Sequence, residues 1–226
     1  MSRRATGLDV TVVVMAKAPQ PGKVKTRLCP PCTQGEAARI AEAALVDTLD
    51  SVNGSRCRRS VLALDGRWEH PVPVGITVIP QGGGSLGDRL AAALARVDRP
   101  VIAIGMDTPQ ITPTLIDQSA ERLLSVDVDA VLGPAVDGGY WAIGLRTPCP
   151  HAFAGVPMST SVTGAHQLAQ LRSLGLRAAM LPALRDVDTF ADAIAVADEV
   201  PASSFAHEVG AVQARVEQAL LVGMRA

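Results

Sequence analysis

A basic segment, Met15–Leu28, directly follows the apolar run Val10–Val14. Its cationic residues are separated by two prolines and a glycine, which favour a turn over a helix. These cations are Lys17, Lys23, Lys25 and Arg27. Because ligands bind at the carboxyl ends of strands in open α/β sheets, such a turn could neutralise the charge of a polyphosphate. The alternative is a solvated basic loop on the surface.

A second chemical feature is Asp107, which follows the apolar run Val101–Ile104 and Gly105 and comes two residues before Pro109. The pattern places one carboxylate in a turn at the end of a strand. Carboxylate oxygens are the ligands that Mg²⁺ and Mn²⁺ prefer, so Asp107 is a candidate metal ligand. Alternatively, Asp107 caps the backbone of the helix that follows.

A third feature is the loop Asp137-Gly138-Gly139, which precedes Tyr140 and Trp141. Two glycines after an acidic residue allow a ligand to approach the backbone closely. Asp137 therefore lies in a loop that a ligand can reach. The same three residues are also common in a plain hairpin turn.

Gln81–Arg89 is rich in glycine and precedes a predicted helix. The N–H groups of Gly83 and Gly84, helped by the N-terminus of that helix, could contact a base or a phosphate. The alternative is a flexible loop that caps the helix.

Leu184–Thr189 contains Asp186, Asp188 and Arg185 after another apolar run. Two carboxylates and an arginine therefore stand immediately before a predicted helix. Asp188 followed by Thr189 is also an ordinary signal for the start of a helix.

Short apolar runs alternate with segments of helical period, which is typical of a mostly parallel sheet covered by helices. The predicted strands are Asp9–Met15, Arg59–Leu64, Gly75–Pro80, Pro100–Gly105, Ala130–Pro134, Tyr140–Leu145 and Ala178–Leu181. The predicted helices are Thr33–Ser51, Ser85–Val97, Pro113–Ser125, Gly164–Gly175, Arg185–Val200 and Glu208–Val222. Thr33 and Glu36 form a capping-box pattern, so the basic segment should lead into a helix.

The 226 residues are 48% hydrophobic, enough for one α/β domain over residues 1–200 with a C-terminal linker and helix at 201–226. A net charge of −1 and a pI of about 6.4 argue against nucleic acid as a partner. The sequence shows no signal peptide and no apolar run long enough to span a membrane, so we expect a cytoplasmic protein with no membrane partner.

Five motifs carry a resemblance to known proteins. Lys17…Lys25-Thr26-Arg27-Leu28 resembles the signature of the 2-phospho-L-lactate guanylyltransferases, which are related to molybdenum-cofactor nucleotidylyltransferases. Together with QGGGSLGDRL, IGMDTP, GPAVDGGYWAIGL and LRDVDT, the segment is similar to a family of glycosyltransferase-A-like proteins. The similarity runs from Val12 to about Ala197.

The resemblance implies a GT-A fold, as in nucleotide-diphospho-sugar transferases, with a mostly parallel central sheet flanked by helices. It also implies that Lys17, Lys25 and Arg27 face the nucleotide phosphates and that Asp107 binds the metal. Asp137, Gly138 and Gly139 would line the acceptor side, and Asp188 would supply a second metal or ribose contact.

Three functions remain open at this stage. The first is Mg²⁺- or Mn²⁺-dependent nucleotidyl transfer from a nucleoside triphosphate to a small phosphorylated or carboxylated acceptor, with Lys25 and Arg27 stabilising the developing charge. The second is glycosyl transfer from a nucleotide-sugar, with Asp137 as a base. The third is a nucleotide-binding module without turnover. The number of cations in the first loop favours a triphosphate donor.

Overall fold

The computed structural model describes residues 7–97 and 100–223, which form an α/β structure around one seven-stranded sheet. The strands are β1 (Leu8–Lys17), β2 (Cys57–Asp65), β3 (Ile76–Pro80), β4 (Val101–Gly105), β5 (Ala130–Pro134), β6 (Tyr140–Leu145) and β7 (Ala178–Met180). Their order across the sheet is β3-β2-β1-β4-β6-β5-β7. β6 runs antiparallel to β4 and β5, and the other pairs are parallel. The predicted mostly parallel α/β fold is therefore confirmed.

The central strand β1 is buried on both faces, since Val12, Val13 and Val14 are all completely covered. A strand with helices on both sides has no solvent face, so its sequence is a continuous apolar run and not an alternating one. Burial on this scale holds the end of β1 firmly in place. The basic segment starts at that end.

Six α-helices accompany the sheet in the described part of the chain. They are α1 (Gln34–Asn53), α2 (Leu86–Leu94), α3 (Pro113–Leu124), α4 (Thr163–Ser173), α5 (Phe190–Glu199) and α6 (Ser204–Gly223). Thr33 caps α1 through the predicted capping box with Glu36. None of the helices in the described part of the chain is long and apolar enough to cross a bilayer.

Two of the predicted helix starts are wrong. Arg185–Thr189 is not helical, because Thr189 and Asp192 form a capping box that starts α5 at Phe190. The last helix begins at Ser204 and not at Glu208, because the Asp47 carboxylate accepts hydrogen bonds from the N–H groups of Ser204 and Phe205. Arg185–Asp188 is thereby left as an extended loop beside the carboxyl ends of the strands.

The C-terminal helix α6 packs on the body of the fold. Phe205 and Val209 are completely buried in a cluster that includes Ile40 of α1. Arg215 of α6 also donates to Glu36, with an Nε–Oε1 distance of 2.6 Å. The segment 201–226 was predicted as a linker and helix, and its described helix thus contributes to the same packing as α1.

We expect the Glu36–Arg215 contact to make stability depend on acid. Burial raises the pKa of Glu36, but hydrogen bonds from Arg215 and Thr33 outweigh it and lower the pKa to about 2. A lowered pKa stabilises the fold above the pKa of the unfolded chain, and the contribution disappears as the pH falls from about 4.5 towards about 2. Glu36→Gln should therefore destabilise the protein at pH 6 and do so much less at pH 3.

Urea unfolding at the two pH values measures the difference. Glu208→Gln is the control, because Glu208 pairs with Arg39 on the surface and such pairs contribute little. An equal loss of stability for Glu36→Gln at both pH values would contradict the prediction.

Candidate functional site

An open cavity of about 370 Å³ lies at the carboxyl ends of β1 and β4. The chain leaves β1 towards β2 on one side and β4 lies on the other, so this is the point at which the strand order reverses. Ligands of open α/β sheets bind at such points. The cavity is lined by Met15, Ala16, Lys17, Lys23, Val24, Lys25, Thr26, Arg27, Ala41, Gln81, Leu86, Arg89, Met106, Asp107 and Asp188.

The three lysines at this cavity, Lys17, Lys23 and Lys25, are the only lysines in the sequence, in which arginine supplies every other permanent cation. A lysine ammonium is a compact point charge with three donors, whereas arginine presents a flat fork. All lysines of the sequence are thus concentrated in one short segment. This bias in composition points to the segment independently of the spacing of its motif. It strengthens the prediction that the loop binds a polyanion.

Lys25 is the best-held cation of the loop. Its side chain is 9% exposed, its Nζ lies 2.6 Å from Asp107 Oδ1, and it also donates to the Val187 carbonyl. Its backbone is left-handed, with φ of 47°, a conformation that costs a non-glycine residue about 1–3 kcal/mol. With this backbone conformation, the Lys25 ammonium lies between the loops that contain Asp107 and Val187.

Arg27 is held more loosely at the mouth of the same cavity. Its Nη1 lies 2.8 Å from Asp188 Oδ2, and its side chain is 75% exposed. An ion pair in water contributes only about 0–1 kcal/mol, so a phosphate can displace Asp188 from Arg27 at small cost. The structure thus brings Lys17, Lys23, Lys25 and Arg27 to one cavity.

Asp107 lies at the end of β4, where the sequence places it. Its side chain contacts Lys25, and its carbonyl accepts the N–H of Val187 at 2.9 Å. Asp107 does not cap the next helix, since Thr112 caps α3. The predicted role of Asp107 as a metal ligand remains a prediction, and the contact shown by the structure is with a cation.

The carboxylates of Asp137, Asp186 and Asp188 form an acidic cluster in which one oxygen of each lies within 4.8 Å of the others. Burial, followed by the nearby Asp137 charge, raises the pKa of Asp186 to about 6. The structure therefore brings Asp137 and Asp188 together and adds Asp186. In an extended segment, residues two apart point to the same side, so the spacing of Asp186 and Asp188 could have indicated this grouping.

The Asp137-Gly138-Gly139 loop is shaped by its glycines. Gly138 has φ of 92°, and a Cβ there would lie 1.9 Å from the Ser161 carbonyl oxygen. The Asp137 carboxylate accepts the N–H of Gly139 at 2.7 Å. Only glycine fits at Gly138, and the tight loop places Asp137 in the acidic cluster.

Gly83 and Gly84 lie next to the cavity but are absent from the described residues that line it. Gly84 has φ of 94°, and Ser85 and Asp88 cap α2 immediately after it. The contact of Gly83 and Gly84 with a nucleotide therefore stays a prediction. The same motif contributes Gln81 and Arg89 to the cavity wall, two residues that were not among the predicted site residues.

Comparisons with known proteins identify the family of this chain. Residues 48–160 match the family described as "Uncharacterized protein conserved in bacteria (DUF2064)". The chain belongs to the DUF2064 family. This DUF2064 protein is also 33% identical over 125 residues to a 2-phospho-L-lactate guanylyltransferase of Haloarcula marismortui. That match covers 55% of this chain and 57% of the relative.

Solved structures confirm the predicted fold of this DUF2064 protein. A Desulfovibrio desulfuricans G20 protein, proposed to be a nucleotide-diphospho-sugar transferase, shares 25% identity and a TM-score of 0.82 over 92% of this chain and 97% of its own. A Mycobacterium tuberculosis H37Rv protein in complex with manganese has 21% identity and a TM-score of 0.51, over 85% of this chain and 100% of its own. The predicted resemblance to GT-A-like transferases is thus confirmed.

Proposed function

We propose that this protein is a nucleotidyltransferase that uses a nucleoside triphosphate and a small phosphorylated or carboxylated acceptor, and releases pyrophosphate. The charge of the cavity is the observation that carries the proposal. Five cationic side chains and two carboxylates line it, leaving a net charge of about +3 before any ligand binds. A triphosphate and its departing pyrophosphate match this excess better than a nucleotide-sugar diphosphate does. The guanylyltransferase relative supports the same reaction class.

Lys25 and Arg27 would have different roles: Lys25 would stabilise developing charge, and Arg27 would bind a phosphate. Lys25 is fixed in advance by Asp107, so its ammonium can stabilise charge developing on the phosphates without first being ordered. Arg27 is exposed and can exchange Asp188 for a phosphate, which its guanidinium can bind in a bidentate manner. Lys17 and Lys23 add positive charge along the same wall.

The acidic cluster fits a divalent cation. Three carboxylates whose oxygens lie within 4.8 Å of one another form the hard oxygen donor set that Mg²⁺ and Mn²⁺ prefer. Asp137, Asp186 and Asp188 would hold the ion, and its charge would neutralise phosphate oxygens when it is bound. Crowding of like charges also favours a cation here, because the neighbouring carboxylates help to raise the pKa of Asp186.

The acceptor would bind beside the Asp137-Gly138-Gly139 loop. The guanylyltransferase relative is named for 2-phospho-L-lactate, a molecule that carries a phosphate and a carboxylate. This supports a small anionic acceptor for the present protein. An anionic acceptor oxygen is ionised at neutral pH and needs no base. Asp137 would then act in binding and not in proton transfer.

Glycosyl transfer is the second candidate, favoured by the similarity to the Desulfovibrio protein over nearly the whole chain. In that reaction, a nucleotide-sugar donor would release a nucleoside diphosphate. The acceptor would be a hydroxyl, so Asp137 would be needed as a base. The two functions therefore differ in their released product and in their dependence on Asp137.

Product analysis tests the proposal. The protein, Mg²⁺, each of the four ribonucleoside triphosphates and a pool of phosphorylated and carboxylated metabolites should yield pyrophosphate that depends on the acceptor. Arg27→Ala should weaken triphosphate binding by roughly 10–150-fold and leave nucleoside binding unchanged, because a hydrogen bond to a charged group contributes about 1.5–3 kcal/mol. Release of a nucleoside diphosphate from nucleotide-sugars, with no pyrophosphate from any triphosphate, would reject nucleotidyl transfer in favour of the second candidate.

A further inference from the structure

The cavity crosses the ends of four neighbouring strands. Gln81 follows β3, Lys17 ends β1 and Asp107 follows β4, and the order β3-β2-β1-β4 separates the first from the last by three strand spacings. At about 4.8 Å per spacing, the cavity is on the order of 14 Å across, which is long enough to give a nucleotide two distinct ends.

The charged residues of the cavity indicate which end would hold the phosphates and which the base. Asp188 belongs to both the acidic cluster and the cavity wall, and it contacts Arg27. If the proposed function is correct, the phosphates lie on this side. The base then lies at the β2–β3 end, against Gln81, Leu86 and Arg89.

Gln81 is a fixed support at the base end. Its amide nitrogen donates to the carbonyls of Ala16 and Ala63, at 2.8 and 2.9 Å. Both amide hydrogens are therefore in use, and its Oε1 accepts from Arg89 Nη1 at 3.2 Å. Gln81 thus anchors Arg89 to the ends of β1 and β2 and has no donor left for a base.

Arg89 is anchored through one nitrogen only. The same Nη1 lies 3.5 Å from Asp65 Oδ2. Its Nε is buried without a hydrogen-bond partner, and no described residue accepts from its Nη2. A buried donor without a partner is unfavourable, so the Nε–Nη2 edge of the guanidinium is suited to an acceptor pair supplied by a ligand.

We propose that Arg89 and Asp65 select the base of the donor nucleotide and that this base is guanine. Guanine carries two neighbouring acceptors, O6 and N7, which are the commonest bidentate partners of arginine. Next to O6 it carries the N1–H and N2–H donors, and a carboxylate such as Asp65, which is half exposed, can only accept. Asp65 is the register partner of Lys17 at the ends of β2 and β1, and Lys17 lines the cavity, so Arg89 and the Asp65 carboxylate lie together at the base end.

The other bases match this pair less well. Cytosine offers one donor beside two acceptors, so it would leave part of the Asp65 carboxylate without a partner. In adenine the amino group separates the acceptors N1 and N7, and in uracil N3–H separates O2 and O4, so neither base has two adjacent acceptors. Guanine alone presents two donors followed by two acceptors along one edge.

Calorimetric titration of the unaltered protein with Mg²⁺ and GTP, CTP, ATP or UTP tests the preference. GTP should bind roughly 5–150-fold more tightly than the others, as expected for one bidentate pair. Inosine triphosphate lacks the 2-amino group and 7-deaza-GTP lacks N7, so each should bind roughly 2–10-fold more weakly than GTP.

Two variants and one control identify the residues. Arg89→Lys keeps the charge but loses the fork, so it should remove most of the preference for GTP over ATP. Asp65→Asn replaces one acceptor by a donor, so it should weaken GTP binding and strengthen binding of xanthosine triphosphate, which has O2 in place of the 2-amino group. Arg96→Lys is the matched control, because Arg96 contacts the Pro80 carbonyl outside the cavity. It should keep the preference of the unaltered protein.

Equal affinity for the four triphosphates, or tightest binding of CTP, would overturn the assignment of guanine. An equal loss of affinity for all four in Arg89→Lys would make Arg89 a phosphate ligand and would also overturn it. Failure of the proposed function looks different. In that case none of the four triphosphates binds to the unaltered protein, whichever base it carries.

Discussion

Replacing Lys25 with methionine is expected to slow nucleotidyl transfer by roughly 10²–10³-fold, the loss that follows removal of one preorganised donor from a site of developing charge. Lys25 is nearly buried and already lies 2.6 Å from Asp107. Its position therefore does not have to be established during the reaction. The rate of pyrophosphate release at saturating triphosphate measures the loss.

Arg67→Met is the matched control, because it removes one positive charge from a side chain that is 87% exposed and lies outside the cavity. Asp107→Asn combined with Lys25→Met adds a second test. If Asp107 acts by positioning Lys25, the double variant should lose little more than Lys25→Met alone, since groups that act as a unit are not additive. A normal rate in Lys25→Met would reduce the Lys25–Asp107 pair to a structural contact.

The strands of the sheet were predictable because each corresponds to a local pattern of apolar residues in the sequence. Buried parallel strands such as β1 have sequences that are apolar runs, and a glycine, proline or aspartate follows within three residues of the end of each of the seven strands. The capping box at Thr33 and Glu36 depends only on residues three apart, so the start of α1 was predicted correctly. Each of these signals concerns residues that are close in sequence.

The loop Arg185–Asp188 shows where local patterns fail. Its acidic residues before Thr189 resemble the start of a helix, but two contacts from elsewhere in the chain hold it extended. The Gln110 side chain donates to the Arg185 carbonyl at 2.6 Å, and Val187 donates to the Asp107 carbonyl. Both contacts cross more than 70 positions of sequence, and their energy outweighs a weak helical preference.

The site shows the same division. The basic residues of the first loop could be recognised from their composition. Their partners could not, since Lys25 reaches Asp107 through a left-handed backbone and Arg27 reaches Asp188 across 161 positions. Strand order decides which loops meet at the cavity, and a single sequence does not specify that order through local patterns.

Metal binding should depend on Asp186 more than on any residue outside the acidic cluster. Asp186→Asn is expected to weaken binding of Mn²⁺ by at least the roughly 10–100-fold that loss of an outer-shell partner costs, because it removes one of three converging carboxylates. Equilibrium dialysis with Mn²⁺ and no nucleotide measures this without turnover. Asp198→Asn, an exposed carboxylate on α5, is the control and should not change the affinity.

Asp107→Asn then decides between two arrangements of the site. The sequence predicts that Asp107 and Asp188 bind the metal. In the structure, Asp188 lies instead with Asp137 and Asp186. Asp107 forms an ion pair with Lys25. If the acidic cluster holds the ion, Asp107→Asn should keep nearly all of its Mn²⁺ affinity and still lose triphosphate affinity, because Lys25 loses its anchor. If Asp107 is a ligand, Asp107→Asn should lose Mn²⁺ as strongly as Asp188→Asn does. Unchanged Mn²⁺ binding in Asp186→Asn, together with a large loss in Asp107→Asn, would place the metal site at the end of β4. The ion would then bind the Asp107 carboxylate that contacts Lys25 in this structure.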